Sequence, residues 1–249
     1  QMRRDCIELL DKERVSIKNR KYKNKIVKYK PVQYNRNKQQ EISVKVKNLE
    51  QLESALECGV DRIYYEDTNT IDKAMSLAMK YDKKVIYSAP RIIRNKEYNH
   101  LAKANNAGVE SVQVGNYGSI DYFKDKKLNI DYYLNAFNSE TINYYKEIGA
   151  DTLCISQELN INEIKETIKY TDINIESVVY GYTPLMITEY CPMGVIVRDC
   201  KKDKRVAKCK ESIYALRNSK GDEFRVSQDI FCRSTIYNSN VTCMLDNLY

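Results

Sequence analysis

Residues 42–66 read ISVKVKNLEQLESALECGVDRIYYE, and this stretch decides the fold. It opens with a β-rich run, Ile42 to Lys47, passes into helical apolar spacing over Leu49 to Glu57, stops at Gly59 and resumes as β-rich Arg62 to Glu66. A glycine just past the last helical residue is the expected stop, because the left-handed conformation that ends a helix costs glycine nothing. Two strands joined through a helix of about ten residues predict a βαβ unit with parallel strands.

The unit repeats along the chain. Further β-rich runs occupy Lys84 to Ala89, Glu110 to Gly115, Ile130 to Asn135, Asp151 to Ser156 and Ile175 to Gly181. Helical spacing fills Ile71 to Tyr81, Tyr98 to Asn106, Thr141 to Ile148 and Ile161 to Tyr170, and Gly108 and Gly149 repeat the role of Gly59. Regular βα units imply a parallel sheet covered by helices, either closed as a barrel or open and doubly wound. Glycine-rich phosphate loops of the G-x-G-x-x-G or G-x-x-x-x-G-K-[ST] kind are absent, which disfavours the nucleotide-binding doubly wound sheet. The expected fold is α/β, a TIM-like (β/α) barrel. It is incomplete or distorted, with about seven parallel strands, and carries a Cys-rich C-terminal cap.

The chain has 249 residues, 43% of them hydrophobic, enough for a substantial core. No apolar run approaches the roughly 20 residues needed to span a bilayer, and no basic segment leads into an apolar one at the start, so no membrane and a cytoplasmic location are expected. Charge is uneven. Residues 1–40 hold 13 basic and 4 acidic side chains, residues 41–197 hold 17 and 23, and residues 198–249 hold 11 and 7. Basic ends suit an RNA partner, although a Lys-rich arm is also an ordinary solvated segment. Because the chain opens on Gln1, residues 1–40 are expected to be a helix and basic linker from an upstream domain of the same longer chain. The barrel is then expected over 41–190 and the Cys-rich segment over 191–249.

Cys191, Cys200, Cys209, Cys232 and Cys243 crowd the last 59 residues. Thiolates at such density suit an iron-sulfur cluster or zinc, while inert free thiols remain an alternative. The gaps contain no C-x2-C knuckle, which disfavours a compact zinc ribbon. Surrounding cations, among them Arg198, Lys201, Lys202, Arg205 and Lys208, favour thiolate over thiol. The metal ligands expected are Cys191, Cys200, Cys209 and Cys232. Cys58 and Cys154 are expected to be packing residues, and Cys243 to be buried.

The stretches 133–139 (YLNAFNS), 155–160 (ISQELN), 179–186 (VYGYTPLM) and 189–194 (EYCPMG) resemble the peptidase U32 family, also called collagenase-like proteases. Leu49 to Tyr65 is similar to that family's first βα unit, and 219–224 (SKGDEF) with 229–232 (DIFC) to its closing segment. Of the family's signature, Glu176, Val178, Gly181 and Cys191 fit, but Pro184 stands where the first cysteine belongs. The resemblance implies a 4Fe-4S cluster on Cys191, Cys209 and Cys232, with Cys200 in the fourth place. It also implies a second, diverged barrel of a two-barrel protein. Relatives resemble oxygen-independent hydroxylases that draw on prephenate, and long members are similar to the bacterial enzyme that hydroxylates a cytidine of 23S ribosomal RNA. Proteolysis, as the family name says, and a non-catalytic RNA-binding or scaffold role are the alternatives.

For proteolysis the residues offer little: no H-E-x-x-H, no G-x-S-x-G, and one histidine, His100, remote in sequence from the clustered cysteines. Active groups of a βα barrel sit at the C-terminal ends of its strands. That rule points to Glu66, Arg91, Arg94, Asn135, Asn138, Glu158 and Tyr182, among others. Arg91 and Arg94 are expected to pair with substrate carboxylates or RNA phosphates, or else to form surface ion pairs. Asn138 and Glu158 are alternatively caps of the helices that follow them.

Overall fold

The computed structural model describes residues 1–16, 32–34, 40–196 and 214–244, with only the backbone of 195 and 196. Contacts divide the chain into a small unit, residues 1–32, and a large one, residues 33–249. Among its described residues the small unit contains one helix, α1 (Met2–Val15), none of whose side chains is buried.

The large unit alternates strands and helices as the glycine-punctuated pattern requires. They run β1 (Ser43–Val46), α2 (Leu49–Glu57), β2 (Arg62–Tyr65), α3 (Ile71–Met79), β3 (Val85–Ser88), α4 (Tyr98–Asn106) and β4 (Ser111–Val114). Then come α5 (Tyr117–Tyr122), β5 (Lys127–Ile130), α6 (Ser139–Glu147), β6 (Ala150–Cys154), α7 (Ile161–Ile168) and β7 (Asn174–Glu176). The seven strands pair in chain order, each parallel to the next, as a TIM-like half-barrel. Gly59, Gly108 and Gly149 follow α2, α4 and α6 with φ of 71°, 81° and 96°, so each closes its helix in the left-handed region.

Alternate residues of every strand face opposite ways, and the two faces differ. Val46, Ile63, Tyr65, Val112, Ile130 and Leu153 pack outward under Leu52, Leu56, Ala74, Leu101 and Ile142 of the helices. The other face is polar. There the side chain of Ser88 donates to Gln113 at 2.8 Å, Arg62 donates to Asn129, and Asn129 donates to Ser111 at 2.7 Å.

Side chains bridge β7 and β1. Glu176 of β7 accepts hydrogen bonds from Ser43 of β1 at 2.6 Å and Tyr64 of β2 at 2.8 Å, and pairs with Arg62 Nε at 3.3 Å. Glu176 is thus the residue that curls the first and last strands together. Replacing it with Ala leaves Arg62 facing no carboxylate there, and should lower stability by about 2 kcal/mol in urea unfolding, whereas Gln, which keeps one acceptor oxygen and the side-chain volume, should cost less. Equal losses for both variants would show that the carboxylate charge, which both remove, carries the whole effect.

Three expectations are corrected. The fifth strand lies at Lys127–Ile130, not 130–135, because Leu128 and Ile130 supply the helix-facing side and Tyr132–Leu134 turn into a 3-10 helix. The seventh strand ends at Glu176 rather than Gly181. Tyr180 already belongs to a second sheet, so the smaller sheet begins well before residue 191.

That sheet is antiparallel, with order β8 (Tyr180–Thr188), β11 (Ser234–Cys243), β10 (Glu223–Gln228), β9 (Tyr214–Arg217), and a short helix α8 (Pro192–Ile196) follows β8. Pro184 sits opposite Tyr237, between register shifts of the β8–β11 ladder. An irregular ladder tolerates a residue with no N–H to donate.

Candidate functional site

The C-terminal ends of β1, β2 and β5 bring three charges together. Lys45 Nζ lies 2.9 Å from Asp131 Oδ2 and 3.7 Å from Glu66 Oε1. Asp131 follows the last residue of β5 and is fixed by its own N–H, which donates to Val114 O at 2.9 Å. Its residue is 3% exposed, and its second oxygen, Oδ1, is buried without a hydrogen-bond partner among the described residues. A buried carboxylate oxygen left unpaired is costly and is a natural place for a ligand donor. Tyr132 and Tyr133 pack ring to ring at 4.2 Å, and the Cys154 thiol is buried at the end of β6.

The electrostatics limit the chemistry. Burial by itself would lower the Lys45 pKa, but the Asp131 and Glu66 carboxylates outweigh it and hold the ammonium above its usual range. Lys45 is therefore a cation at neutral pH, unfit as an amine nucleophile. Burial, reinforced by Asp131 and Glu176, pushes the Cys154 thiol up. Burial likewise raises Tyr132 and Tyr133. The mouth thus offers an ammonium, a carboxylate oxygen and neutral phenols, a set that binds a polar molecule by hydrogen bonds rather than attacking one. Iodoacetamide at pH 8 should modify exposed Cys58 and leave Cys154 untouched until the protein is denatured, as read by peptide mass spectrometry. Modification of native Cys154 would contradict its assignment as an inert packing thiol.

The antiparallel sheet meets this mouth. Tyr237 of β11 accepts a hydrogen bond from Ser227 Oγ at 3.3 Å, and burial raises its phenol pKa. Lys47, just past β1, donates to Gln228 O at 2.7 Å. Arg233, 2% exposed, donates to Glu189, to Ile92 O and to both oxygens of Glu97.

The expected site residues are dispersed. Arg91 reaches the mouth, its guanidinium 4.1 Å above the Tyr133 ring. Arg94 pairs with Glu189 at 3.1 Å, an ion pair between the half-barrel and the second sheet. Asn135 holds a left-handed φ of 52° that ends the 3-10 turn. Asn138 caps α6, accepting from Thr141 N at 2.9 Å. Glu158 does not cap α7: that role belongs to Asn160, in a reciprocal capping box with Glu163. Tyr182 lies in β8 beneath Arg225 at 4.3 Å, not at the end of a barrel strand, because β7 had already ended. Lys45, Asp131 and Tyr133 were not among the candidates singled out. Their signal is faint: a lysine at an inward strand position and an aspartate directly after an apolar run.

Thr188 pairs with Ser234, so Cys191 and Cys232 leave the same end of the β8–β11 ladder, and both are half-buried. Cys232 has φ of 63°, a left-handed value unusual for cysteine. Cys200 and Cys209 lie outside the described residues. Among the described residues, no three His, Cys, Asp or Glu side chains form a metal-holding group. Cys154 is buried as expected, but Cys58 and Cys243 are exposed. His100 meets Phe231 edge-on at 4.7 Å, beside Cys232, so it is nearer the thiol segment in space than in sequence.

The model of peptidase family U32 matches residues 47–248. The chain belongs to that family. Two solved structures are similar to this U32 chain. One is the U32 peptidase Mk0906, at 14% identity and TM-score 0.46, covering 60% of this chain and 74% of that one. The other is the YdjI aldolase from Escherichia coli K12, at 14% identity and TM-score 0.41, covering 54% and 64%. No curated protein matches. Among the described residues of the U32 chain, no helix is long and apolar enough to cross a membrane.

Proposed function

We propose that this U32 chain takes part in oxygen-independent hydroxylation of an RNA base, with its half-barrel mouth as the binding site for a small carboxylated co-substrate of the prephenate kind. The observation that carries the reading is the ion pair between solvent-reaching Lys45 and buried Asp131, whose second carboxylate oxygen has no hydrogen-bond partner among the described residues. Lys45 and Arg91 suit carboxylates, and Asp131 Oδ1 suits a hydroxyl donor. Proteolysis is less well supported, since Cys154 is an inert thiol and Lys45 a firmly protonated amine.

Cys191, Cys200, Cys209 and Cys232 would hold a 4Fe-4S cluster, with zinc on the same thiolates as the alternative. The two described members of that set leave one end of one ladder, which suits a shared site. When bound, the cluster supplies electron transfer; the residues of this chain bind and orient the co-substrate and keep water from it. A second reading, a non-catalytic half supporting an upstream barrel, is favoured by Pro184, which takes the place of a family cysteine inside a paired strand.

Nucleoside mass spectrometry of ribosomal and transfer RNA from a strain lacking this gene tests the proposal. The expected result is loss of one hydroxylated nucleoside, restored by the intact gene and not by a Lys45→Met, Asp131→Asn variant. Full restoration by that variant would support the non-catalytic half. Unchanged RNA, together with peptide cleavage by the purified metal-free protein, would overturn the proposal in favour of a peptidase.

A further inference from the structure

We infer that the mouth-facing side of the antiparallel sheet is a docking strip for single-stranded RNA, built from arginine–tyrosine stacks; this rests on the RNA reading above and adds where, and in which form, RNA is held. Two such stacks flank the mouth: Arg91 over Tyr133 at 4.1 Å and Arg225 over Tyr182 at 4.3 Å. Both arginines are exposed, and among the described residues neither meets a carboxylate. Arg217 differs, being neutralised by Glu223.

The two stacks belong to one surface. Arg225 and Ser227 are two residues apart on β10 and share a face. Ser227 donates to the hydroxyl of Tyr237, and its neighbour Gln228 accepts from Lys47 just past β1, so this end of β10 lies at the mouth. Tyr180, two residues before Tyr182 in β8, is 64% exposed. The strip therefore runs from Tyr180 and the Arg225–Tyr182 stack, past Tyr237, to the Arg91–Tyr133 stack.

Its chemistry selects the form of the ligand. A guanidinium lying flat on a tyrosine keeps its edge N–H groups available to phosphate oxygens. The outer face of each exposed stacked guanidinium, and the exposed ring of Tyr180, can stack unpaired bases, which a duplex keeps covered. A strip of this kind favours single strands and is tolerant of sequence, and its end at the mouth presents a base to Lys45 and Asp131.

Fluorescence anisotropy of the full chain with a labelled 12-nucleotide oligouridylate, and with an RNA duplex of equal length, tests this. The single strand is expected to bind more tightly. Arg91→Ala and Arg225→Ala should each weaken it at least about fivefold, as loss of a stacked contact does, with Arg→Lys at either position intermediate and Arg217→Ala without effect. Circular dichroism confirms that each variant is folded. Equal or tighter duplex binding, or full affinity in the Arg91→Ala, Arg225→Ala double variant, would overturn the docking strip and assign RNA affinity to the basic termini. Loss of the nucleoside in the deletion strain without single-strand binding would overturn this inference alone, whereas single-strand binding with unchanged nucleosides would uphold it and overturn RNA modification.

Discussion

Arg233→Ala is expected to lower the stability of the chain by about 3 kcal/mol and to release the antiparallel sheet from the half-barrel before the barrel itself unfolds. Arg233 precedes β11 and is almost wholly buried, with its guanidinium held on every side. Nε donates to Glu189 at 2.8 Å, Nη1 to Ile92 O at 3.1 Å, and Nη2 to the Glu97 carboxylate at 2.6 and 2.7 Å. Burial alone would lower its pKa, but the Glu97 and Glu189 carboxylates more than offset this and raise it. Truncation leaves Glu97, 18% exposed at its side chain, without its counter-charge, and that uncompensated group is the main cost. Glu189 is half exposed and rehydrates, which keeps the loss below that of a fully buried pair. Arg233→Lys should recover little, because one ammonium cannot reach Glu97, Glu189 and Ile92 O together. The measurements are the urea midpoint and hydrogen exchange over residues 214–244. An unchanged midpoint with unchanged protection would show that Arg94–Glu189 and Lys47–Gln228 suffice to hold the sheet.

The half-barrel was legible where the local code is strong. Leu49–Glu57 and Tyr98–Asn106 are helices with the bounds their apolar spacing predicts, and the glycines after them adopt the left-handed conformation that only glycine takes without strain. The fifth strand was misplaced because Tyr132 and Tyr133 have high β propensity yet serve as rings at the mouth. The second sheet was missed because Gly181, Pro184 and the shifted register remove the alternation that marks a strand. The mouth was less legible still. Alternation of Lys45 and Arg62 with apolar neighbours reads as a strand with one face in water, and only the curl of the sheet turns that face inward. Lys45 and Asp131 stand 86 residues apart, and nothing local to either names the other. The barrel rule led to the right end of the right strands, and Arg91 and Glu66 are there, but several residues it named spend their side chains on caps and ion pairs.

Raising the pH above 10 is expected to unfold the chain cooperatively, because tyrosines rather than carboxylates carry the largest shifts. Burial raises Tyr64, Tyr65, Tyr87, Tyr132, Tyr133, Tyr145 and Tyr237 above the ordinary phenol value near 10, Tyr87 to about 12. In the folded chain these phenols keep their protons at a pH where the unfolded chain has released them. Their contribution is therefore fully present below pH 10 and is lost as pH rises through the folded values. A rise of about two units, as for Tyr87, corresponds to about 3 kcal/mol, and a few such groups equal the roughly 5–15 kcal/mol by which an ordinary domain is stable. Lys45 acts in the same direction, since its raised pKa makes its ion pair fail only in alkali. The part of the 295 nm absorbance change that comes from these seven phenols should therefore coincide with loss of circular dichroism at 222 nm between pH 10 and 12. Ionisation of all 21 phenols with intact dichroism at pH 12 would show these hydroxyls to be open to water. Tyr87→Phe separates the two contributions of one ring. It gives up the 2.9 Å hydrogen bond to Thr68, costing about 1 kcal/mol at pH 7, but removes a group that must ionise in alkali. The variant should start less stable than the parent and lose less stability between pH 10 and 12, so the two stability curves converge as pH rises.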